Sequence, residues 1–337
     1  MLRRRSTWFI NSVSGRPAII TMSHTQKPIA VLLMAMGGPD CLENVEPFLL
    51  DVRGGRPTPP ELVAEIRERY RATGGKSPAV GITKDVARKL EARLNESGRE
   101  RYRVYVGLRH WHPFIKEAYA ELLRDEPEHV IGFCMAPQQS SLSTGAYRKK
   151  VEEAQAALNS HCPVSYIGAW NRHPKLIAAI VENVQQGLLK FPAAVRPSVP
   201  VLFTAHSLPE RIVAMKDPYP NEVKGTVEAV TVLLGSQPTR FAYQSQGQSG
   251  ERWLGPTVES AIEELSLAGR RQVLVAPIGF LCDHVETLYD IDIELKHLAV
   301  SRGMQLERIA MLNDSPAMIE ILVDVLAAHE SSLTIPS

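Results

Sequence analysis

One alternation runs through this chain and restricts its fold more than any other feature. Eight short runs stand in order: "IAVLLMAM" (29–36), "YRVYVGL" (102–108), "HVIGFCMAP" (129–137), "VSYIGAW" (164–170), "VPVLFTAH" (199–206), "RFAYQSQ" (240–246), "QVLVAPIGF" (272–280) and "ERIAML" (307–312). Longer stretches with helical spacing separate them, among them "PELVAEIRERYRA" and "HPKLIAAIVENVQQGLLK". Runs that are apolar on both alternate positions are strands covered on both faces, which means parallel sheets between layers of helix. The runs fall into two groups of four that meet near "NRHP" (171–174). The expected fold class is therefore α/β: two doubly wound domains, each a four-stranded parallel sheet flanked by helices, over 26–171 and 172–330. The last periodic stretch, "SPAMIEILVDVLAAHE", suits either half, and no repeat at fixed spacing relates the two.

Composition excludes several function classes. With 38 Lys and Arg against 37 Asp and Glu, the net charge of +1 offers no global field for nucleic acid, so no nucleic-acid partner is expected. The four cysteines, Cys41, Cys134, Cys162 and Cys282, form no CxxC pair, which argues against a disulfide framework or thiolate metal site and suits a reducing cytoplasm. No apolar run approaches the roughly 18 residues of a membrane span. The first 25 residues are basic and free of acidic side chains, but their apolar stretch is short and interrupted. They are expected to be a disordered extension, with Met22 an alternative start.

In open parallel sheets, ligands bind beyond the carboxyl ends of the strands, where loops and helix N-termini converge. The first strand ends in "MGGPD", the second in "GLRHWHP", the third in "APQQSSLSTGAY", the fifth in "AHSLPE" and the sixth in "YQSQGQSGERWLGP". The seventh ends in "GFLCDHVETLYDIDIE". His206 closes an apolar run that has no need of it, and a buried, backbone-bonded histidine is the plain structural alternative. The seventh end shifts the balance. Asp283, Glu286, Asp290, Asp292 and Glu294 fall within twelve residues, and Glu286, Asp290 and Glu294 recur every four. Such like-charge pairs each cost a few tenths of a kcal/mol on a helix face. A solvated acidic face would explain the first turn only. A carboxylate row beginning at a ligand-binding edge, beside His284 and within reach of His206, fits a path for a cation or protons, and mixed imidazole and carboxylate ligation suits a divalent first-row metal.

"MGGP" is too short for a dinucleotide fingerprint and no Walker lysine follows it. The strand ends instead offer Met34, Met36, Trp111, Leu142, Tyr147 and Trp253 together with Arg53, Arg56 and Arg109. Singly these read as core filler, interface anchors and solvated charge. Together they describe a broad, flat, apolar ligand carrying carboxylates at its rim.

The ordered series "FTAHSLP", "DPYP", "YQSQ...WLGP" and "PIGFLCDHVETLYDIDIE" resembles the ferrochelatases, which insert ferrous iron into a porphyrin in haem biosynthesis, from about Ile29 to the last helix. The resemblance implies two domains facing each other across a porphyrin cleft, with His206 and Glu286 as the catalytic pair. It implies His206, Glu286, Asp290 and Glu294 as metal-handling groups, Asp292 beside them on the approach path, and a π-turn in that helix. Porphyrin contacts are implied at Met36, Arg53, Arg56, Ser77, Arg109, His110, Ser143, Tyr147 and Trp253. Fe2+ is expected as a substrate, with no tightly bound cofactor and, since the chain has no cysteine cluster near Ser337, no iron-sulfur centre. Neighbouring haem-pathway enzymes and peripheral membrane contact are admitted as partners, and a cytoplasmic location is expected. Met36 matches the protoporphyrin branch. The arginine-bearing lip "DVRGGRPTPPELVAEIRERYRATGGKSP" and "APQQSSLSTGAY" resemble the coproporphyrin III branch, with Arg53, Arg56, Ser140, Ser141, Ser143 and Tyr147 as donors to propionates. The rival readings are a cobalt or nickel chelatase for a related tetrapyrrole and a non-catalytic haem or metallophore carrier.

Overall fold

A computed structural model describes residues 27–98, 101–247 and 250–333. The expected extension over residues 1–25 lies outside the described residues. In the first half β1 (Ile29–Ala35), β2 (Tyr102–Leu108), β3 (His129–Cys134) and β4 (Val164–Tyr166) form a parallel sheet in the order β2-β1-β3-β4. In the second, β5 (Val201–His206), β6 (Thr239–Gln244), β7 (Gln272–Pro277) and β8 (Gln305–Arg308) form another in the order β6-β5-β7-β8. The same winding occurs twice, so the duplication is one of architecture.

Central strands are buried on both faces, as their apolar runs require: Ile29–Met34 of β1 and Val201–Ala205 of β5 are buried throughout. Edge strands β2 and β4 are half-buried over most of their length and carry the more polar sequences. One layer of core is shared between the halves. It joins Val31, Leu33, Phe133 and Trp170 to Phe203, Leu274 and Ile278 through the helix Pro174–Leu188 and the last helix, Pro316–Leu333. That last helix serves both halves. Its Glu320 pairs with Arg93 of the first half at 2.7 Å, Asp324 with Lys175 at 2.8 Å, and Glu330 accepts from the Tyr102 hydroxyl at 2.7 Å.

A polar seam fixes the halves edge to edge. Asp217, before the helix Tyr219–Leu234, accepts from Ser140 Oγ at 3.2 Å, Ser141 N at 2.7 Å and Ser141 Oγ at 2.6 Å. Asn171 Nδ2 donates to the Glu222 carbonyl at 2.7 Å. Here the structure corrects the sequence reading: Ser140 and Ser141 spend their hydroxyls on Asp217, and a buried donor already paired with a carboxylate gains little from a second. Among the described residues no helix is long and apolar enough to cross a membrane.

Candidate active site

A sheet ordered 2-1-3-4 reverses its winding between its first and third strands, and the crevice opens there. In the second half that point lies between β5 and β7. His206 is the last residue of β5, and β7 leads through residues 278–284 into the turn of helix Val285–Leu288 that carries Glu286. The returning loop passes against β5 because Gly279 has no side chain: a Cβ there would sit 2.9 Å from Ala205 Cα. His206 Nε2 consequently lies 3.4 Å from Glu286 Oε1. His284 Nε2 lies 3.5 Å from Glu286 Oε2, so one carboxylate sits between two imidazoles.

Both rings are oriented from behind. Nδ1 of His206 donates to the Ser207 carbonyl and Nδ1 of His284 to the Cys282 carbonyl at 3.0 Å. A carbonyl can only accept, so Nδ1 carries a proton and Nε2 is the atom turned toward Glu286, the backbone-anchored arrangement that orients metal-binding imidazoles. Burial is the strongest influence on His206 and works against its charge, but the charge and hydrogen bond of Glu286, with help from the Ser207 carbonyl, lift it to about 9. Burial likewise opposes the charge of Glu286, and the two imidazoles outweigh it, holding the carboxyl well below its usual range. The resting pair is an ion pair.

From Glu286 the carboxylate row continues outward along a π-helix, Asp290–Leu295, in which the Glu294 amide reaches back to the Tyr289 carbonyl at 3.0 Å. This is the π-turn implied by the resemblance; such elements concentrate at functional positions. Burial, then the charge of Glu286, pushes the Asp290 carboxyl up to about 6, although a hydrogen bond from Ser245 at 2.6 Å opposes the rise. Arg69, from helix Pro60–Ala72 of the first half, reaches across to Asp290 at 3.1 Å and Glu294 at 3.4 Å, with its guanidinium 5.0 Å from the Tyr289 ring centre. Asp292 is not on this path. It points to the opposite side of the helix and accepts from Nε and Nη2 along one edge of the Arg308 guanidinium, at 2.9 and 2.8 Å.

Both halves line a cleft of about 1090 Å³ around these groups. Of the residues singled out in the sequence, Met36, Arg53, Ser77, His206, Glu286, Asp290 and Glu294 line it. Arg56, Arg109, His110, Ser143, Tyr147 and Trp253 do not. Arg56 is exposed and bonds to the Arg53 carbonyl at 3.1 Å. Arg109 donates to the Leu142 carbonyl at 3.0 Å and lies against the buried Tyr147, while His110 meets Asp51 at 2.7 Å. Ser143 opens the helix Thr144–Ala157. Trp253 lies behind His206, with ring centres 6.5 Å apart.

Sequence reading missed Arg69, whose spacing from Glu65 marks an ordinary helix-surface ion pair, and Thr58 and Tyr70, which carry no local signal. Arg53 Nε and Thr58 Oγ1 are buried and find no hydrogen-bond partner among the described residues. Also among the described residues, no three His, Cys, Asp or Glu side chains are grouped to hold a metal ion by themselves.

Comparison with known proteins extends these observations. The sequence model of the ferrochelatase family matches residues 28–330. A ferrochelatase from Herpetosiphon aurantiacus is 44% identical over 300 residues, covering 89% of this chain and 98% of the relative. A coproporphyrin III ferrochelatase from Bacillus anthracis is 36% identical over 312 residues, covering 91% and 99%. Among solved structures, the sirohydrochlorin chelatase SirB of Bacillus subtilis subspecies spizizenii in complex with cobalt shares the fold at a TM-score of 0.55 and 9% identity, over 89% of this chain and 94% of the other. SirB from Bacillus subtilis with Fe3+ gives 0.58 at 8% identity, over 90% and 98%. A family match over nearly the whole chain thus joins the doubled fold and the His206 and Glu286 pair at its switch point, and the chain belongs to the ferrochelatase family.

Proposed function

We propose that this ferrochelatase acts on coproporphyrin III, with His206 and Glu286 as its metal-handling pair. The observation that carries the choice of porphyrin is a set of unsatisfied polar atoms in the cleft wall, Arg53 Nε and Thr58 Oγ1, beside Arg69 Nε of a guanidinium already paired with Asp290 and Glu294. A buried donor without a partner costs about 1–3 kcal/mol. A ligand carboxylate removes that cost, and arginine pairs with carboxylates at two points. Coproporphyrin III has four propionates, where protoporphyrin IX has two propionates and two vinyls that accept nothing. The name of the Bacillus anthracis relative agrees with this choice. Met36, 46% exposed in the cleft, offers a thioether face to the macrocycle plane and does not bear on its rim.

Metallation replaces two pyrrole protons by one divalent cation. Glu286 attracts the cation and compensates its charge. The arriving charge drives the proton off His206 Nε2 into the carboxylate row, after which the ring, its Nδ1 held by the Ser207 carbonyl, accepts the two macrocycle protons one after the other and hands each on to the same row. Asp290, whose carboxyl sits near neutrality, and Glu294 pass protons toward the cleft mouth. The test is catalytic efficiency on the two porphyrins with Fe2+. The expected result is a preference for coproporphyrin III that falls about tenfold or more in Arg53→Ala, with protoporphyrin IX use nearly unchanged. Equal or better efficiency of the wild-type chain on protoporphyrin IX refutes the choice of porphyrin.

A further inference from the structure

We infer that Gln244 is a positioning residue whose buried side chain sets the separation of His206 from Glu286, an inference that rests on the ferrochelatase reading above. Gln244 closes β6, stands in register with His206 and is only 2% exposed. Its backbone carbonyl accepts from Ser207 N at 2.8 Å, and the Ser207 carbonyl in turn takes His206 Nδ1. Its side-chain Nε2 donates to the backbone carbonyl of Glu286 at 2.9 Å. Its Oε1 accepts from the fully buried Thr204 hydroxyl at 2.5 Å, which turns the amide so that the NH2 end faces Glu286. One residue therefore joins the two sides of the pair while touching neither reactive group: its side-chain amide spans from Thr204 of the strand that ends in His206 to the Glu286 backbone, and its own carbonyl holds Ser207.

The next residue strengthens this reading. Ser245 holds a left-handed backbone, φ 57°, without being glycine, and from there its hydroxyl donates to Asp290 at 2.6 Å. Such a conformation persists where the surroundings enforce it, and it clusters at functional sites. The end of β6 thus grips the carboxylate row at two points, Glu286 through its backbone and Asp290 through its side chain. The separation matters chemically. Two donors each about 2.1 Å from one ion and roughly 90 to 110° apart lie about 3.0 to 3.4 Å from each other. The 3.4 Å between His206 Nε2 and Glu286 Oε1 is already that spacing. Displacing one group by about 1 Å costs on the order of a hundredfold in rate.

The experiment uses the full chain with Zn2+ and whichever of coproporphyrin III and protoporphyrin IX the wild type turns over, read by fluorescence, with porphyrin Kd and Tm measured in parallel. Gln244→Leu, which keeps the bulk and removes the amide, is expected to lose tenfold or more in kcat/KM for the metal while porphyrin Kd stays within about twofold. Thr204→Val, which leaves the amide in place but no longer turned, is expected to show a smaller loss, and the double variant no more than Gln244→Leu alone. Unchanged metal kinetics in Gln244→Leu, or a loss confined to porphyrin Kd, overturns the inference. Should Gln244→Leu fail to fold, unchanged metal kinetics in Thr204→Val overturns it. A wild-type chain that binds porphyrin and never inserts metal overturns instead the ferrochelatase reading on which the inference stands.

Discussion

Replacing Glu286 by glutamine isolates the interaction that defines the site. The substitution keeps size and hydrogen-bonding capacity and removes one negative charge from between two imidazoles. At 3.4 Å, unit charges attract by about 5 kcal/mol at an effective dielectric constant of about 20. The lift of His206 from its ordinary 6.5 to about 9 corresponds to about 3 kcal/mol in favour of the imidazolium. The net lift is smaller than the attraction alone because burial, the largest influence on this ring, opposes its charge and offsets much of what Glu286, the Ser207 carbonyl and Asp290 together supply. In Glu286→Gln the attraction goes and the burial stays, so His206 should titrate below 6.5 and be neutral at neutral pH. NMR titration of the imidazole Cε1–H signals between about pH 5 and pH 10, assigned with His206→Gln, measures this directly. The sign also sets stability. A raised histidine contributes stability in full below about 6.5 and loses it as pH rises through about 9, and a depressed carboxylate loses its share as pH falls below about 4.5. The wild-type advantage in Tm over Glu286→Gln should therefore be largest between about pH 4.5 and 6.5 and fade toward pH 9. The reasoning is refuted if His206 still titrates above about 8 in the variant, or if no wild-type histidine titrates above about 7.5.

Arg69→Met should raise the apparent affinity of Asp290 for its proton, because the guanidinium at 3.1 Å is lost while the carboxylates of Glu286 and Glu294 remain. Steady-state kinetics should then show KM for the metal moving severalfold and porphyrin Kd hardly at all; the reverse split would remove Arg69 from the metal path. Asp292→Asn should cost about 1–2 kcal/mol of stability in denaturant melts, discounted because Asp292 is 37% exposed, and should leave the metal dependence of the rate intact. A changed metal dependence in that variant would return Asp292 to the approach path.

The way these residues pair explains which features sequence could show. Strands β1 and β5 were legible because burial on both faces demands apolar residues at every position, a local property of the run. His206 and Glu286 were legible as titratable side chains at strand ends, and their pairing was implied by the family resemblance; the strand order that brings the two ends together at the switch point is seen only in the fold. Asp292 was misread by proximity: it stands two residues from Asp290, which on any helix turns it away from a row spaced by fours. Arg69 meets Asp290 across 221 positions of sequence, and Ser141 meets Asp217 across 76, separations that no local pattern reports. Both pairings change what the site can bind. Arg69 answers charges that looked uncompensated, and Asp217 takes hydroxyls that looked available. Donors at strand ends are therefore candidates until the fold has assigned their partners, and what stays unpaired is what a ligand can use. In this cleft that subtraction leaves Arg53 Nε, Thr58 Oγ1 and Arg69 Nε, the last on a guanidinium already paired with Asp290 and Glu294, which is why the choice between four propionates and two rests on the lip and not on the serines after β3.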